Sequence, residues 1–354
     1  MNRPSDKQVT CLFLGSGASK ALAEIPIQRD FMCTVLNEKR SGWIDGCGLE
    51  IGGRGLSSWM LEVGDIERCM SYLHNVAYGN NKSQSKKLSE NEKSARKSIV
   101  NMRAAIADHL RKFKPEPDIG GKFKDWLSKF GKKNSSLVFI TTNYDLILEN
   151  LLGENQYYYP EINGNNCKTD LSPIYKLHGS INWLEKRWWL EGTEELKSRK
   201  KRVADVSDIS DNLVFEPPEK NKWPCLIRWK EYNEKGAWGE TFKTYNPILV
   251  PFFYQKDDWL GDGGGWNKIF PSHWESAKKI LEKGLTHVYF LGYGLPPADH
   301  HLMSWLLNIL QKANNPRITI VNSNNKPEPL EKALNGFRPR VCQCGLERFL
   351  KDHF

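Results

Sequence analysis

Short apolar runs, several closed by Gly, Asn or Pro, punctuate a chain that is otherwise polar. Six stand out: VTCLFLG (9–15), LVFITT (137–142), IYKLHG (174–179), ILVP (248–251), THVYFLGYG (286–294) and RITIVN (317–322). Their length and their β-branched and aromatic content fit buried strands, and helical patterns separate most of them. That alternation predicts an α/β fold, a Rossmann-like parallel sheet of about six strands with crossover helices.

The stretch between the first two strands is far longer than one crossover needs. Within it Ile99, Met102, Ile106, Leu110 and Phe113 recur at intervals of three and four, the spacing of one helix face. A helical subdomain inserted at 32–130 is the expectation. A second insert, 183–247, is rich in Trp and Lys, has little periodicity and leaves its structure open, although WPCLIRW within it can form a strand. Residues 1–354 then read as a single domain carrying two inserts. Tryptophans flanked by charge also suit a partner interface.

Composition narrows the class. A chain of 354 residues can bury a substantial core. No apolar window approaches the ~18 residues of a membrane span, and the opening residues lack the pattern of a secretory signal. A soluble, cytoplasmic protein is expected. The eight cysteines are scattered, with only Cys342 and Cys344 close together. No four-thiolate zinc pattern follows, and reduced thiols and no metal are the reading. The formal charge of +9 is carried largely by lysine-rich segments such as NKSQSKK and KSRKKR. These suit solvated loops or attraction to a polyanion; nucleic acid is allowed but not required.

Candidate chemistry gathers where the strands end. Gly15-Ser16-Gly17-Ala18-Ser19, Thr142-Asn143-Tyr144-Asp145, His178-Gly179-Ser180, Gly292-Tyr293-Gly294 and Asn322 each follow an apolar run. In open α/β sheets ligands bind beyond those carboxyl ends. Singly, each segment has a structural reading too. GSGAS lacks the third glycine of G-x-G-x-x-G, and Lys20 is misplaced for a P-loop, so the segment is either an anion loop or a tight turn. Asn143 or Asp145 can cap the helix LILENLL, His178 can be a core histidine, and Asp299 can cap the helix carrying Leu302, Trp305, Leu306 and Ile309.

Taken together, these segments resemble the sirtuin-like (silent information regulator) family, above all its bacterial anti-phage branch. Sirtuins carry a G-A-G-x-S loop followed by G-I-P-x-F-R; this chain has Gly15-Ser16-Gly17-Ala18-Ser19 followed by Ile25-Pro26-Ile27-Gln28-Arg29. Their T-Q-N-I-D is matched by Thr141-Thr142-Asn143-Tyr144-Asp145 and their H-G by His178-Gly179. Their later G-[TS]-S and I-N are matched by Gly292-Tyr293-Gly294 and Val321-Asn322. The resemblance implies an NAD site. Residues 15–19 would receive the pyrophosphate, and Gly292, Tyr293 and Asn322 the adenosine half. Pro26 and Arg29 would lie in a mobile loop over the nicotinamide ribose, Thr142 and Asp145 would face the cofactor, and Asn143 and His178 would be the catalytic pair.

The chain also departs from sirtuin deacylases. It lacks their zinc ribbon of paired Cys-x-x-Cys, and Thr142 and Gly294 stand where the family has glutamine and serine. Residues 272–307, with the run FLGYGLPPAD, resemble the defence branch, whose members hydrolyse NAD to nicotinamide and ADP-ribose. The resemblance thus implies an NADase, an effector of abortive infection. An effector that destroys NAD must stay silent in healthy cells, so activation by homo-oligomer assembly or by a separate sensor protein encoded nearby is expected. An NAD-dependent protein deacylase or ADP-ribosyltransferase, and a non-catalytic module sensing NAD or ADP-ribose, are the alternatives.

Overall fold

The structure, a computed structural model, describes residues 8–36, 42, 44–78, 89–130, 135–153, 156–160, 171–186, 215–216, 225–227, 245–249, 266–296, 299–313, 315–323 and 329–353. Two compact units divide the chain. The first comprises Met1–Ile25, Phe113–Gly179 and Asn267–Phe354, and the second Pro26–Lys112 and Ser180–Trp266. In chain order the strands are β1 (Gln8–Leu14), β2 (Glu50–Ile51), β3 (Arg54–Gly55), β4 (Ser135–Thr141), β5 (Tyr157–Tyr158), β6 (Ser172–Lys176), β7 (Gly179–Lys186), β8 (Phe215–Glu216), β9 (Cys225–Ile227), β10 (Tyr245–Leu249), β11 (Leu285–Leu291), β12 (Arg317–Val321) and β13 (Arg340–Cys342).

A Rossmann-like sheet of seven strands in the order β13-β12-β11-β1-β4-β6-β5, parallel at every pairing, forms the first unit. Every residue of β1 after Gln8 is buried, so helices must cover both faces of the central strands. On one face the helices Trp266–Gly284 and His300–Lys312 bring Ala277, Leu281, Leu302 and Leu306 into a cluster with Phe13, Val288 and Phe290. On the other, Trp126 of helix Pro117–Ser128 meets Tyr289 edge-on at 5.2 Å and Phe349 of helix Gly345–Asp352 at 5.6 Å.

Two features of this sheet differ from the apolar pattern. β5 and β13 lengthen its edges, being too short to announce themselves in composition. The run at 248–251 is not part of it; its first residues end β10, in a four-stranded sheet ordered β10-β7-β9-β8. Composition marks a segment as a strand but does not name its partner.

The second unit holds helices Gln28–Val35, Leu56–Val63, Ile66–Tyr78 and Glu90–Leu110. The last starts at a reciprocal cap, in which the Ser89 amide donates to Glu92 Oε2 at 2.6 Å and the Glu92 amide to Ser89 Oγ at 3.2 Å. Ile99, Met102, Ile106 and Leu110 are buried along it, as their spacing predicts. Most of the insert at 183–247 lies outside the described residues, apart from the ends of β7 and β10 and all of β8 and β9; β9 falls within WPCLIRW. No described helix is long and apolar enough to cross a membrane.

Candidate functional site

Register sets the strand ends in a row. Lys176, Thr141, Leu14, Leu291, Val321 and Cys342 are successive partners across the sheet. The residues just beyond them, from 15, 142, 177, 292 and 322 onward, therefore leave one edge side by side. Chain order reverses at β1, which lies between β11 and β4. That is the switch point at which open parallel sheets bind ligands.

At this point the loops after β1 and β11 touch backbone to backbone. The Gly15 amide donates to the Leu291 carbonyl at 3.0 Å, and the Gly17 amide to the Gly292 carbonyl at 2.9 Å. A Cβ on Gly15 would lie 2.6 Å from Gly292 O, and one on Gly292, where φ is +59°, would lie 2.2 Å from the Ala18 nitrogen. Close approach explains these glycines. The Ala18 amide donates to the Gly15 carbonyl, so three amides of the GSGAS loop are satisfied inside the protein. Ser16, at the start of helix Ser16–Ala23, is the exposed position.

Asn143 sits over this turn with its side chain oriented by a carbonyl. Its Nδ2 donates to Gly15 O at 2.9 Å and to Ser19 Oγ at 2.8 Å. A carbonyl can only accept, which fixes the amide nitrogen on this side. Ser19, having accepted, must donate its own proton, and it does so to Asp145 Oδ2 at 2.7 Å. Asp145 Oδ1 accepts the Ile147 amide at 3.0 Å, at the first turn of helix Ile147–Leu152. Asp145 therefore holds the first amide of that helix and, through Ser19, steadies Asn143 at once. Burial pushes its carboxyl above the usual range, against the opposing pull of the Lys176 ammonium and the Ser19 and Ile147 donors. Asn143 itself is partly exposed, and its Oδ1 makes no hydrogen bond to the described residues, leaving an acceptor at the open edge.

A buried ionic group stands behind this chain. Lys176 Nζ donates to the Asp145 carbonyl and to Glu149 Oε1, the latter at 2.9 Å, and Tyr159 OH donates to the same oxygen at 2.7 Å. Lys176 and Glu149 are each 1 % exposed in the side chain. A cavity of about 10 Å³, room for one water, is lined by Ser19, Asn143, Asp145 and Glu149. The Lys176 amide donates to His273 Nε2 at 3.0 Å, and His273 Nδ1 lies 3.1 Å from the Pro160 carbonyl. An acceptor on one side and a donor on the other demand a neutral ring, and burial pushes its pKa down to about 4.

His178 lies just past β6 and is fully buried, with Nε2 3.5 Å from Asp299 Oδ1. Asp299 precedes helix His300–Lys312, yet its carboxylate makes no cap to that helix. Instead Oδ2 accepts Tyr293 OH at 2.8 Å. The Tyr293 ring packs 4.6 Å from that of Phe13, and Asn322 Nδ2 donates to the Tyr293 carbonyl at 3.3 Å.

The structure thus gathers Gly15, Ser16, Gly17, Ala18, Ser19, Thr142, Asn143, Asp145, Gly292, Tyr293 and Asn322 around the switch point, with His178 beside Asp299. Pro26 and Arg29 fall in the second unit, Arg29 within helix Gln28–Val35. Lys176, Glu149 and Asp299 escape the motif reading. The first has a signal in sequence: Lys176 shares strand parity with Ile174 in an apolar run, an unusual place for an ammonium. No group of three or more potential metal-ligating side chains occurs among the described residues.

The SIR2-like domain family model matches residues 137–210, a stretch that holds Asn143, Asp145, Lys176 and His178. The match makes this stretch of the chain similar to a SIR2-like domain. No curated protein matches the chain.

Proposed function

We propose that the chain is an NAD hydrolase, cleaving NAD to nicotinamide and ADP-ribose, with Asn143 and His178 as its catalytic pair. The observation that carries this reading is Asn143: a carboxamide locked from below by Gly15 and Ser19, with its acceptor oxygen presented at the switch point. Cleavage of the nicotinamide glycosidic bond passes through an oxocarbenium-like centre. An acceptor fixed in advance can hold a ribose hydroxyl or the attacking water without reorganising.

In the step itself, water oxygen bonds to the ribose carbon while the carbon–nitrogen bond breaks, and nicotinamide leaves with that electron pair. The water proton passes to His178 and then to solvent. His178 is fully buried, so this reading requires the shell over it to open when substrate enters. The pyrophosphate falls to residues 15–19, at the exposed Ser16 since the Gly15, Gly17 and Ala18 amides are already bonded, the nicotinamide side to Thr142 and Asp145, and the adenosine half to Gly292, Tyr293 and Asn322. The Tyr293 hydroxyl is committed to Asp299, so its share in holding adenosine belongs to its backbone. Pro26 and Arg29 keep the role of a closing loop.

The resemblance of 272–307 to the defence branch extends the reading to NAD depletion during phage infection, with activity released by assembly or by a sensor partner. The test is NAD consumption by the purified chain over a range of protein concentrations, with nicotinamide and ADP-ribose both quantified. Asn143→Ala and His178→Ala should each lower turnover by about 100-fold or more. Full turnover in both variants would remove this active site, and a fully active monomer at low concentration would remove activation by assembly.

A further inference from the structure

We propose that Asp299 is the positioning residue of His178. Its catalytic meaning rests on the NAD-hydrolase reading, but the pairing itself rests on geometry. The local pattern explains Asp299 as a helix cap, and the structure shows no such bond. The carboxylate turns into the protein, fully buried, with Oδ2 on the Tyr293 hydroxyl at 2.8 Å and Oδ1 3.5 Å from Nε2 of an equally buried His178. Tyr293 is braced by Phe13 and Phe290, at ring separations of 4.6 and 6.5 Å, so Oδ2 has a rigid donor. A phenol brings a hydrogen bond but no charge; the imidazole can bring both.

In the proposed pair the carboxylate accepts and the nitrogen facing it carries the proton. His178 is then protonated at Nε2, and its basic lone pair in the neutral ring lies on Nδ1. A proton taken from water at Nδ1 yields an imidazolium whose charge faces Asp299, which lowers the cost of forming it in a dry site. The 3.5 Å separation exceeds a hydrogen bond, as is common for catalytic contacts before substrate binds.

The experiment is nitrogen NMR on the full chain with labelled histidine, the His178 signals being those lost in His178→Gln. At pH 8 the wild-type ring should be protonated at Nε2. In Asp299→Asn the Tyr293 hydroxyl keeps the amide oxygen on its side and turns the NH2 toward Nε2, so the ring should switch to protonation at Nδ1 alone. Wild-type protonation at Nδ1 alone overturns the proposal whether or not the variant folds, and so does an unchanged tautomer in a folded variant. For turnover, Asp299→Asn should lower kcat by about 100-fold or more with little change in KM. Wild-type chain that has the expected tautomer but never cleaves NAD would refute the hydrolase and keep the pair. Cleavage with the other tautomer would refute the pair alone.

Discussion

Ser19 joins the accessible part of the site to its buried support, because its hydroxyl accepts from Asn143 and donates to Asp145. Ser19→Ala would strand one N–H of Asn143 and one buried oxygen of Asp145. Each lost partner is worth about 1–3 kcal/mol, so urea unfolding should show a loss of that order, and NAD turnover should fall because Asn143 is no longer fixed. His273 provides a test of another kind. Its pKa is held down to about 4 by burial, whereas the unfolded chain titrates it normally. The neutral ring therefore contributes stability that is present above pH ~6.5 and is lost as pH falls toward 4, about 2 kcal/mol of it by pH 5. His74, pushed to about 4 by burial and by Arg103 and Arg96, acts in the same direction. An NMR titration that finds His273 protonating near pH 6.5 would contradict this. Local sequence shows which residues have the right chemistry, and little more: Asn143, Asp145 and His178 stand out as polar residues after apolar runs. The reading of Asp299 as a cap fails because its bonds lead to Tyr293 and away from its own helix.

At the scale of elements, the site depends on how closely β1 and β11 bring their loops and on what holds the turn after β4. Gly292→Ala meets both a left-handed backbone and a Cβ contact of 2.2 Å with the Ala18 nitrogen. Relief requires the GSGAS turn to move, so a loss of about 3 kcal/mol is expected on thermal unfolding. A variant of native stability would mean that these loops are not in backbone contact. Lys176 ties β6 to the turn after β4 through the Asp145 carbonyl and to helix Ile147–Leu152 through Glu149. Lys176→Met leaves the Glu149 carboxylate buried without its cation, which costs about 3–5 kcal/mol. Glu149→Gln added to Lys176→Met should recover much of that loss, a coupling that a double-mutant cycle reads directly. The six apolar runs, short and β-branched, are legible as strands because composition is local. Pairing is not local, and for that reason the run at 248–251 and the edge strands β5 and β13 find their places only in the folded chain.

Across the whole first unit, three segments distant in sequence become neighbours at one sheet edge because β1 lies at the centre, with β4 on one side and β11 on the other. The order of motifs along the chain is enough to suggest this edge, since each follows a strand. The depth of His178 and the pairing of the glycines across loops arise only once the strands are assembled into the sheet. On the proposed reading ligand binding and catalysis are separable, because the glycine loops and Asn322 would bear on adenosine and pyrophosphate while His178 would bear on the proton. ADP-ribose, which contains both of those groups but no scissile nicotinamide bond, should raise the melting temperature of the wild type and of His178→Ala alike. At a concentration of about 100 Kd the stabilisation is about 2.7 kcal/mol. A shift in neither protein would reject an NAD site at the switch point altogether. A shift in both, with turnover in the wild type alone, is the outcome expected of a hydrolase. A shift in both with turnover in neither is that of a binding module that senses the nucleotide.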